Sequence, residues 1–276
     1  MSLEFTKYQG IGNDFLVVFA EHPEALTPAD AVRLCDRNFG VGGDGVLIVS
    51  PGQDGARARM TVLNADGSRP EMCGNGLRCV ALAIVHDGDP RAASFIVETD
   101  AGARTTSVVV DTKSPQVGMV RTAMGQGRLG DSLEIEFEGE KYVFRTVSMG
   151  NPHAVCFRDA ISNEKLDRLG PLVSGRFPAG TNVEIVTQRG PLALDVHVWE
   201  RGVGRTLACG TGAVGSVVVA AEQGLVPFEE EVTVRLPGGE VMIRVDRDFV
   251  TELTGPAARV FSGTTELAEI SQAPAR

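Results

Sequence analysis

One sixteen-residue pattern occurs twice in the chain: CGNGLRCVALAIVHDG forms Cys73–Gly88, and CGTGAVGSVVVAAEQG forms Cys209–Gly224. Each copy reads Cys-Gly-x-Gly, continues with a helix-length stretch and ends on a glycine. The two cysteines are 136 positions apart, almost half of the 276 residues. Segments around Asn13 and Asn151 match at a spacing of 138, and GVLIVS matches NVEIVT at 137. Matches in the same order at nearly the same spacing predict two copies of one domain.

The residues around this pattern indicate sheets that surround helices. The stretches after both cysteines are apolar nearly all round, which is typical of helices buried on every side. Short β-branched runs predict strands at 15–19, 46–49, 95–98, 108–110, 183–186, 195–199, 232–236 and 241–245. We therefore expect a β-rich sheet wrapped around one central helix in each domain.

Domain boundaries follow from the repeat. The join falls near residues 114–121, so we expect one repeat in residues 1–117, carrying Cys73, and the other in residues 118–256, carrying Cys209. Residues 257–276 form a C-terminal segment that we expect to pack back on the first domain, with a frayed tail, SQAPAR.

Two further helices are indicated by their ends. Thr27 is placed to cap a helix that has Pro28 in its first turn, and that helix is expected to stop near Gly40. In the second repeat, Ser162 is placed as the cap, and Gly170–Pro171 is expected to end the helix.

Composition excludes several classes of protein. There are 36 acidic and 26 basic residues, giving a net charge of −10, and no basic cluster that would attract nucleic acid. No apolar run reaches the ~20 residues that a membrane span needs, and the first residues do not read as a signal peptide. Five cysteines, an odd number without a C-x-x-C, argue against a disulfide framework or a cysteine-rich zinc site. We therefore expect a cytoplasmic protein, with Cys35 and Cys156 as ordinary core residues.

A cysteine at the start of a helix has a specific chemistry. The helix N-terminus has unpaired N–H groups and a partial positive charge, which attract carboxylates and lower the pKa of a thiol. Two such thiols facing each other would suit the inversion of a carbon centre without a cofactor, with a base on one face and an acid on the other. If the centre carries a carboxylate, the helix N–H groups would stabilise the dianion that develops. The alternative is two glycine turns that allow close helix packing beside inert thiols.

The sequence closely resembles the diaminopimelate epimerases. The resemblance spans nearly the whole chain and rests on GIGNDF, NADGS, MCGNGLRC, SMGNPH, WERG and ACGTGA. It implies an α/β (α+β) fold of two pseudo-symmetric domains, each a mixed β-sheet barrel around a central helix. It also implies Cys73 and Cys209 as the acid/base pair, epimerisation of LL- to meso-diaminopimelate in lysine and peptidoglycan biosynthesis, no cofactor, and a homodimer.

The same motifs imply the residues that bind the substrate. The resemblance implies that the side chains of Asn13, Asn64, Asn151 and Asn182 contact the substrate. It implies that Arg201, with Glu200 beside it, holds a substrate carboxylate. The backbone donors to the reacting carboxylate would be Gly74, Asn75, Gly210 and Thr211. His153 and Glu200 match residues that tune the two thiols. Asn can hold both an ammonium and a carboxylate, and Arg offers a two-pronged donor to a carboxylate.

Two positions depart from the family pattern, and other functions stay open. Gly45 stands where some members carry Gln, and Gln9 stands where His is usual; both departures concern contacts with the far end of the substrate. One alternative is a racemase of another amino acid on the same scaffold. Another is a non-catalytic amino-acid-binding protein or a thiol redox protein. The sequence contains no cluster typical of metal ligands and no nucleotide-binding loop, so we expect no metal and no cofactor.

Overall fold

The structure is a computed structural model, and it describes residues 2–88 and 93–267. Four helices lie within these residues: α1 Pro28–Cys35, α2 Gly74–Asp87, α3 Asn163–Ser174 and α4 Gly210–Glu222. None of them is long and apolar enough to cross a membrane. The predicted tail, residues 271–276, lies outside the described part of the chain.

Most of the remaining chain is sheet. The strands are β1 Ser2–Gly10, β2 Asn13–Phe19, β3 Gly45–Pro51, β4 Ala58–Asn64, β5 Ala93–Thr99, β6 Gly102–Val110, β7 Val117–Gln126, β8 Arg128–Phe137, β9 Glu140–Ser148, β10 Pro152–Phe157, β11 Asn182–Gly190, β12 Ala193–Glu200, β13 Gly204–Arg205, β14 Glu231–Leu236, β15 Gly239–Val245 and β16 Val250–Glu266. All eight predicted strands lie within these elements, and four of the observed strands, β3, β5, β11 and β12, extend further at both ends.

The first half of the chain closes into a barrel around α2. Strands β1 to β7 pair in sequence order, β16 pairs with β7, and β16 also pairs antiparallel with β1. Helix α2 contacts β1, β6, β7 and β16 and is buried from Gly74 to Val85. The apolar pattern all round α2 therefore reflects a helix inside a barrel, as the sequence predicts.

The second half repeats this arrangement around α4. Its strands pair in the order β16, β15, β14, β12, β11, β10, β9, β8, and α4 is buried from Ala213 to Ala221. Matching pairs of strands are parallel in both halves: β2 with β3, where Phe15 is opposite Gly45, and β10 with β11, where His153 is opposite Asn182. The expected fold of two pseudo-symmetric sheet-and-helix halves is confirmed.

Two long strands connect the halves. Strand β16 pairs with β15 through residues 251–254 and with β1 through residues 258–266, so its two ends belong to different halves. Strand β7 pairs antiparallel with β16 over residues 117–126. The sheet is therefore continuous, and the division at residues 117 and 118 stays a prediction.

Two helix ends differ from the prediction. Helix α1 begins as expected, with Thr27 accepting from the Asp30 N–H, but it ends at Cys35 and not near Gly40. Helix α3 begins at its Ser162 cap and continues through Gly170–Pro171 to Ser174. Gly170 serves packing: a Cβ there would stand 2.3 Å from the ring of Trp199.

Candidate active site

The two cysteines of the repeat cap the two buried helices. Cys73 is the N-cap of α2, and its Sγ accepts from the Gly76 N–H at 3.3 Å. Cys209 is the N-cap of α4, without a cap hydrogen bond of its own. The two helix starts touch, because a Cβ added to Gly74 would stand 3.9 Å from the Gly210 Cα. The fold thus brings two thiols and two positive helix ends to one place.

Glycines permit the close approach at the second helix start. A Cβ on Gly212 would stand 2.5 Å from Oε1 of Glu184 and 3.3 Å from Sγ of Cys209. At the equivalent Gly76, the neighbours would be Leu47 at 3.0 Å and Cys73 Sγ at 3.3 Å. The second glycine of each Cys-Gly-x-Gly therefore lets its cysteine lie against the neighbouring strand.

Burial decides the protonation of both thiols. The pKa of Cys73 is raised to about 11, chiefly by burial and also by the charge of Glu200, against the opposing effects of the Gly76 N–H and Arg78. Burial also raises the pKa of Cys209 well above its ordinary value, and the carboxylates of Glu200 and Glu184 act in the same direction. The expected lowering of the thiol pKa is therefore wrong for the free protein, because desolvation outweighs the helix end.

Around Cys73, side-chain amides form a chain anchored by charged groups. Asn75 Nδ2 donates to Asn13 Oδ1 at 3.0 Å and to the Ala208 carbonyl at 3.1 Å. Arg78, fully buried, donates to Asn75 Oδ1 at 2.8 Å. Asn13 Nδ2 in turn donates to Asp44 Oδ2 at 2.6 Å. Two of the expected substrate contacts, Asn13 and Asn75, are therefore brought together and held from both sides.

Around Cys209, a second chain runs inward from the thiol. Thr211 Oγ1 lies 3.6 Å from Cys209 Sγ and accepts from Asn151 Nδ2 at 3.2 Å. Asn151 Oδ1 lies 3.1 Å from Nε2 of His153, whose Nδ1 lies 2.7 Å from Oε1 of Glu184. The expected residues Asn151, His153 and Thr211 thus form one connected group with Cys209.

Arg201, Asn182 and Glu200 lie near one another at the end of β12. Asn182 Oδ1 accepts from the Arg201 backbone N–H at 2.9 Å, and Arg201 Nη1 donates to the Ala179 carbonyl at 2.7 Å. Glu200 accepts from the Thr206 hydroxyl at 2.5 Å. Burial raises the pKa of Glu200, which also lies against Cys209. Glu200 is therefore not on a solvated face, whereas the Arg201 side chain is exposed.

Asn64 and the two departures from the family pattern have local roles. Asn64 ends β4, and its amide donates to the Ser68 hydroxyl at 2.9 Å within a turn. Gln9 accepts from the Gly12 N–H at 3.0 Å across the turn between β1 and β2. At Gly45 a Cβ would stand 2.8 Å from the Leu63 carbonyl, so the backbone leaves little room for a side chain.

The sequence interpretation missed three residues that support the site: Asp44, Arg78 and Glu184. The signal for Glu184 was present, because a single carboxylate interrupts the apolar strand NVEIV. Arg78 gave a weaker signal, since basic residues in helices usually face solvent. Throughout the described residues, no group of three or more His, Cys, Asp or Glu side chains is placed to hold a metal ion.

Comparison with known proteins shows the family to which this chain belongs. The sequence model of the family described as "Diaminopimelate epimerase" matches residues 5–129 and 145–260. A diaminopimelate epimerase of Desulfitobacterium hafniense is 43% identical over 95% of this chain and 97% of its own length. One from Synechococcus elongatus is 40% identical, with coverages of 97% and 100%.

Solved structures show the same fold at low identity. A hydroxyproline epimerase from Agrobacterium vitis superposes with a TM-score of 0.76 at 15% identity, covering 98% of this chain and 92% of its own. A probable proline racemase from Agrobacterium radiobacter gives 0.75 at 14% identity, with coverages of 97% and 94%. The family match and the near-full-length relatives together show that this chain belongs to the diaminopimelate epimerase family.

Proposed function

We propose that the protein interconverts LL- and meso-diaminopimelate without a cofactor, with Cys73 and Cys209 as the two proton carriers. The observation that carries this proposal is the meeting of two cysteine-capped helices, with Gly74 packed against Gly210. Its curated relatives are named for this reaction. The reaction would supply a precursor for lysine and peptidoglycan.

The chemistry needs only proton transfer. One sulfur, as thiolate, takes the α-proton, and the electron pair of the C–H bond passes to the α-carbon and its carboxylate. The other sulfur, as thiol, gives a proton to the opposite face, which inverts the centre. The N–H groups at the two helix starts, at Gly74–Asn75 and Gly210–Thr211, would stabilise the negative charge on the carboxylate.

The raised thiol pKa values fit this scheme. Two thiolates at one site would repel each other, and one proton must remain for delivery. A buried thiol with a raised pKa is a poor base in the free protein, and it becomes effective once a substrate ammonium and the helix ends offset its charge. We propose Asn13, Asn64, Asn151, Asn182, Glu200 and Arg201 as the groups that hold the two amino acid ends of the substrate.

The test is solvent exchange at the α-carbon. Purified protein is incubated with LL-diaminopimelate in D2O, and the loss of the α-proton signal is followed by NMR while chiral chromatography follows the meso isomer. We expect both to appear together. Proline, 4-hydroxyproline and glutamate serve as alternative substrates. Turnover of one of these in place of diaminopimelate would indicate a racemase, and no exchange with any would indicate a binding or redox protein.

We propose further that the protein acts in the cytoplasm as a homodimer. Two catalytic thiols need a reducing compartment to remain reduced. Val260 and Phe261 on β16 are exposed apolar side chains that a second copy could cover. Sedimentation equilibrium of the purified protein tests the oligomeric state, and a single species at the mass of one chain would contradict it.

A further inference from the structure

The site contains a buried carboxylate that the proposed proton transfer does not use. Glu184 lies in β11, and its side chain is fully buried. One oxygen meets His153 Nδ1, while the other, Oε2, has no hydrogen-bond partner among the residues that the structure describes. Burying a carboxylate with an unpaired oxygen is costly, so its presence at this position calls for a compensating role.

Packing alone does not require Glu184. The equivalent residue of the first repeat is Leu47, which lies against Gly76 as Glu184 lies against Gly212. The first repeat likewise has Phe15 at the position of His153. The same fold is therefore built in the first half with an apolar pair, and the Glu184–His153 pair is particular to the half of the site that contains Cys209.

The hydrogen bonds from this pair have a direction. The ring of His153 lies between two oxygens that can only accept: the carboxylate Oε1 of Glu184, 2.7 Å from Nδ1, and the carbonyl Oδ1 of Asn151, 3.1 Å from Nε2. With this arrangement both ring nitrogens carry a hydrogen, and Nε2 donates to Asn151. Asn151 then donates from Nδ2 to the Thr211 oxygen at 3.2 Å. Because that oxygen already accepts, the Thr211 hydrogen is free to point at Cys209 Sγ, 3.6 Å away. Every donor in the chain thus points towards the sulfur.

We propose that Glu184 is a positioning residue: its carboxylate accepts from Nδ1 and stabilises the form of His153 that carries a hydrogen on both ring nitrogens. Nε2 then donates to Asn151, which sets the direction of this chain, so that Thr211 donates to the Cys209 thiolate. The proposal rests on the proposed function, in which Cys209 must alternate between thiol and thiolate. At Cys73 the backbone N–H of Gly76 supplies the corresponding donor. At Cys209 side chains supply it, and Glu184 fixes their orientation.

The first test uses the unmodified protein. Its four histidines allow ¹⁵N labelling of the imidazole rings, and the His153 signals are identified by their absence from His153→Gln. We expect the spectrum of the free protein near neutral pH to show a hydrogen on both Nδ1 and Nε2 of His153. A bare Nε2 would mean that Asn151 donates to the ring and that the chain runs the other way, which overturns the proposal.

The second test distinguishes the effect of the hydrogen-bond chain on Cys209 from the through-space effect of the Glu184 charge. Iodoacetamide alkylation of Cys209 is followed against pH by peptide mass spectrometry in four proteins: unmodified, Glu184→Gln, Thr211→Val and the double variant. Charged or titratable neighbours of Cys209 are Glu184 on β11, Glu200 on β12 and His153 on β10. Loss of the Glu184 charge changes the pKa of Cys209 through space, so this effect is the same with and without the Thr211 hydroxyl. An effect carried by the hydrogen-bond chain appears only when Thr211 is present.

We therefore expect Glu184→Gln to move the alkylation midpoint of Cys209 further to higher pH in the protein with Thr211 than in the protein with Val at this position. The two shifts should differ by about one pH unit, which corresponds to one hydrogen bond to a charged group. Equal shifts in both backgrounds overturn the proposal. Cys73 in the same samples is the internal control, with an unchanged profile, and near-UV circular dichroism checks folding. Neither test uses substrate, so failure of the epimerisation assay would leave both readouts intact.

Discussion

At the scale of single residues, the two sulfur atoms have unlike surroundings although the repeat makes them equivalent. The carboxylate of Glu200 acts on both thiols, but Cys73 also has the buried cation Arg78 nearby, whereas Cys209 has a second carboxylate, that of Glu184. A charge close to a buried thiol shifts its pKa by stabilising or destabilising the thiolate. The two thiols are therefore expected to give up their protons at different pH values.

The first prediction concerns this difference. Because thiolate is the form that reacts, we expect iodoacetamide to modify Cys73 with a rate that rises steadily with pH and reaches its midpoint at about 11. The rate at Cys209 should lag behind, since the carboxylate of Glu184 opposes the Cys209 thiolate whereas the cation Arg78 favours the Cys73 thiolate. Peptide mass spectrometry of the free protein measures both. A midpoint for either thiol below the ordinary value of 9.0 would contradict the dominance of burial.

Removal of either sulfur should stop the reaction. We expect Cys73→Ala and Cys209→Ala each to lower kcat by at least ~10²–10⁴-fold, because each face of the substrate needs its own proton carrier. Cys35→Ala is the matched control, since Cys35 is buried in a separate apolar cluster beneath α1. Near-normal turnover by either active-site variant would rule out the two-thiol mechanism.

Arg201 offers a test of the substrate's far end. Lys at this position keeps the charge but loses the two-pronged donor, so we expect KM for diaminopimelate to rise by the equivalent of ~1–3 kcal/mol, with the smaller value favoured by the exposure of Arg201. Arg205→Lys is the control on the same turn, where Arg205 pairs with Asp167 at the surface. If both variants raise KM equally, Arg201 has no special contact with the substrate.

At the scale of elements, the helix starts determine what the site can tolerate. The second glycine of each Cys-Gly-x-Gly has a strand side chain and the cysteine sulfur within 3.3 Å of where a Cβ would stand. Interior atoms cannot move apart freely, so added volume strains the backbone or displaces its neighbours. A methyl group at Gly212 would separate Glu184 from Cys209.

We expect Gly212→Ala to lower the stability by ~1–3 kcal/mol and to reduce kcat, because the added carbon would stand 2.5 Å from Glu184 Oε1. Gly190→Ala is the matched control, since no atom lies within 4 Å of a Cβ there and the backbone is not in the left-handed region. Urea unfolding and steady-state kinetics measure the two effects. Loss of stability in the control alone would reject the packing argument.

What sequence could predict at this scale depended on local signals. The caps Thr27 and Ser162 mark helix starts by their own hydrogen bonds, so both starts were predictable. The end of α3 was not, because Gly170 is present for contact with Trp199, a residue distant in sequence. The pKa of the two thiols depends on burial by both barrels, which no local pattern contains. Glu184 was visible as an anomaly within a strand, but its partner His153 is joined to it only by the fold.

At the scale of the whole molecule, the continuous sheet determines how the two sulfurs meet. Strands β7 and β16 pass between the halves, and the helix starts touch at Gly74 and Gly210. The halves therefore hold the thiols at one place without substrate, while all five cysteines are free in the structure. Such an arrangement is open to oxidation whenever the two sulfurs come within bonding reach.

The last prediction follows from that arrangement. We expect a mild oxidant to inactivate the free enzyme by joining Cys73 to Cys209, and dithiothreitol to restore it. Because burial keeps both thiols protonated, inactivation should be slow near neutral pH and faster as pH rises. The bond needs Cα atoms within ~7 Å, and bound diaminopimelate would occupy the gap, so saturating substrate should protect.

Peptide mapping after oxidation decides the matter. Cys35, Cys79 and Cys156 are buried thiols and should remain reduced. A disulfide that excludes both cap cysteines would contradict the facing geometry, even if activity were lost. A cross-link that forms equally fast with and without substrate would show that the substrate does not lie between the sulfurs, and a two-face proton transfer would then have no place to occur.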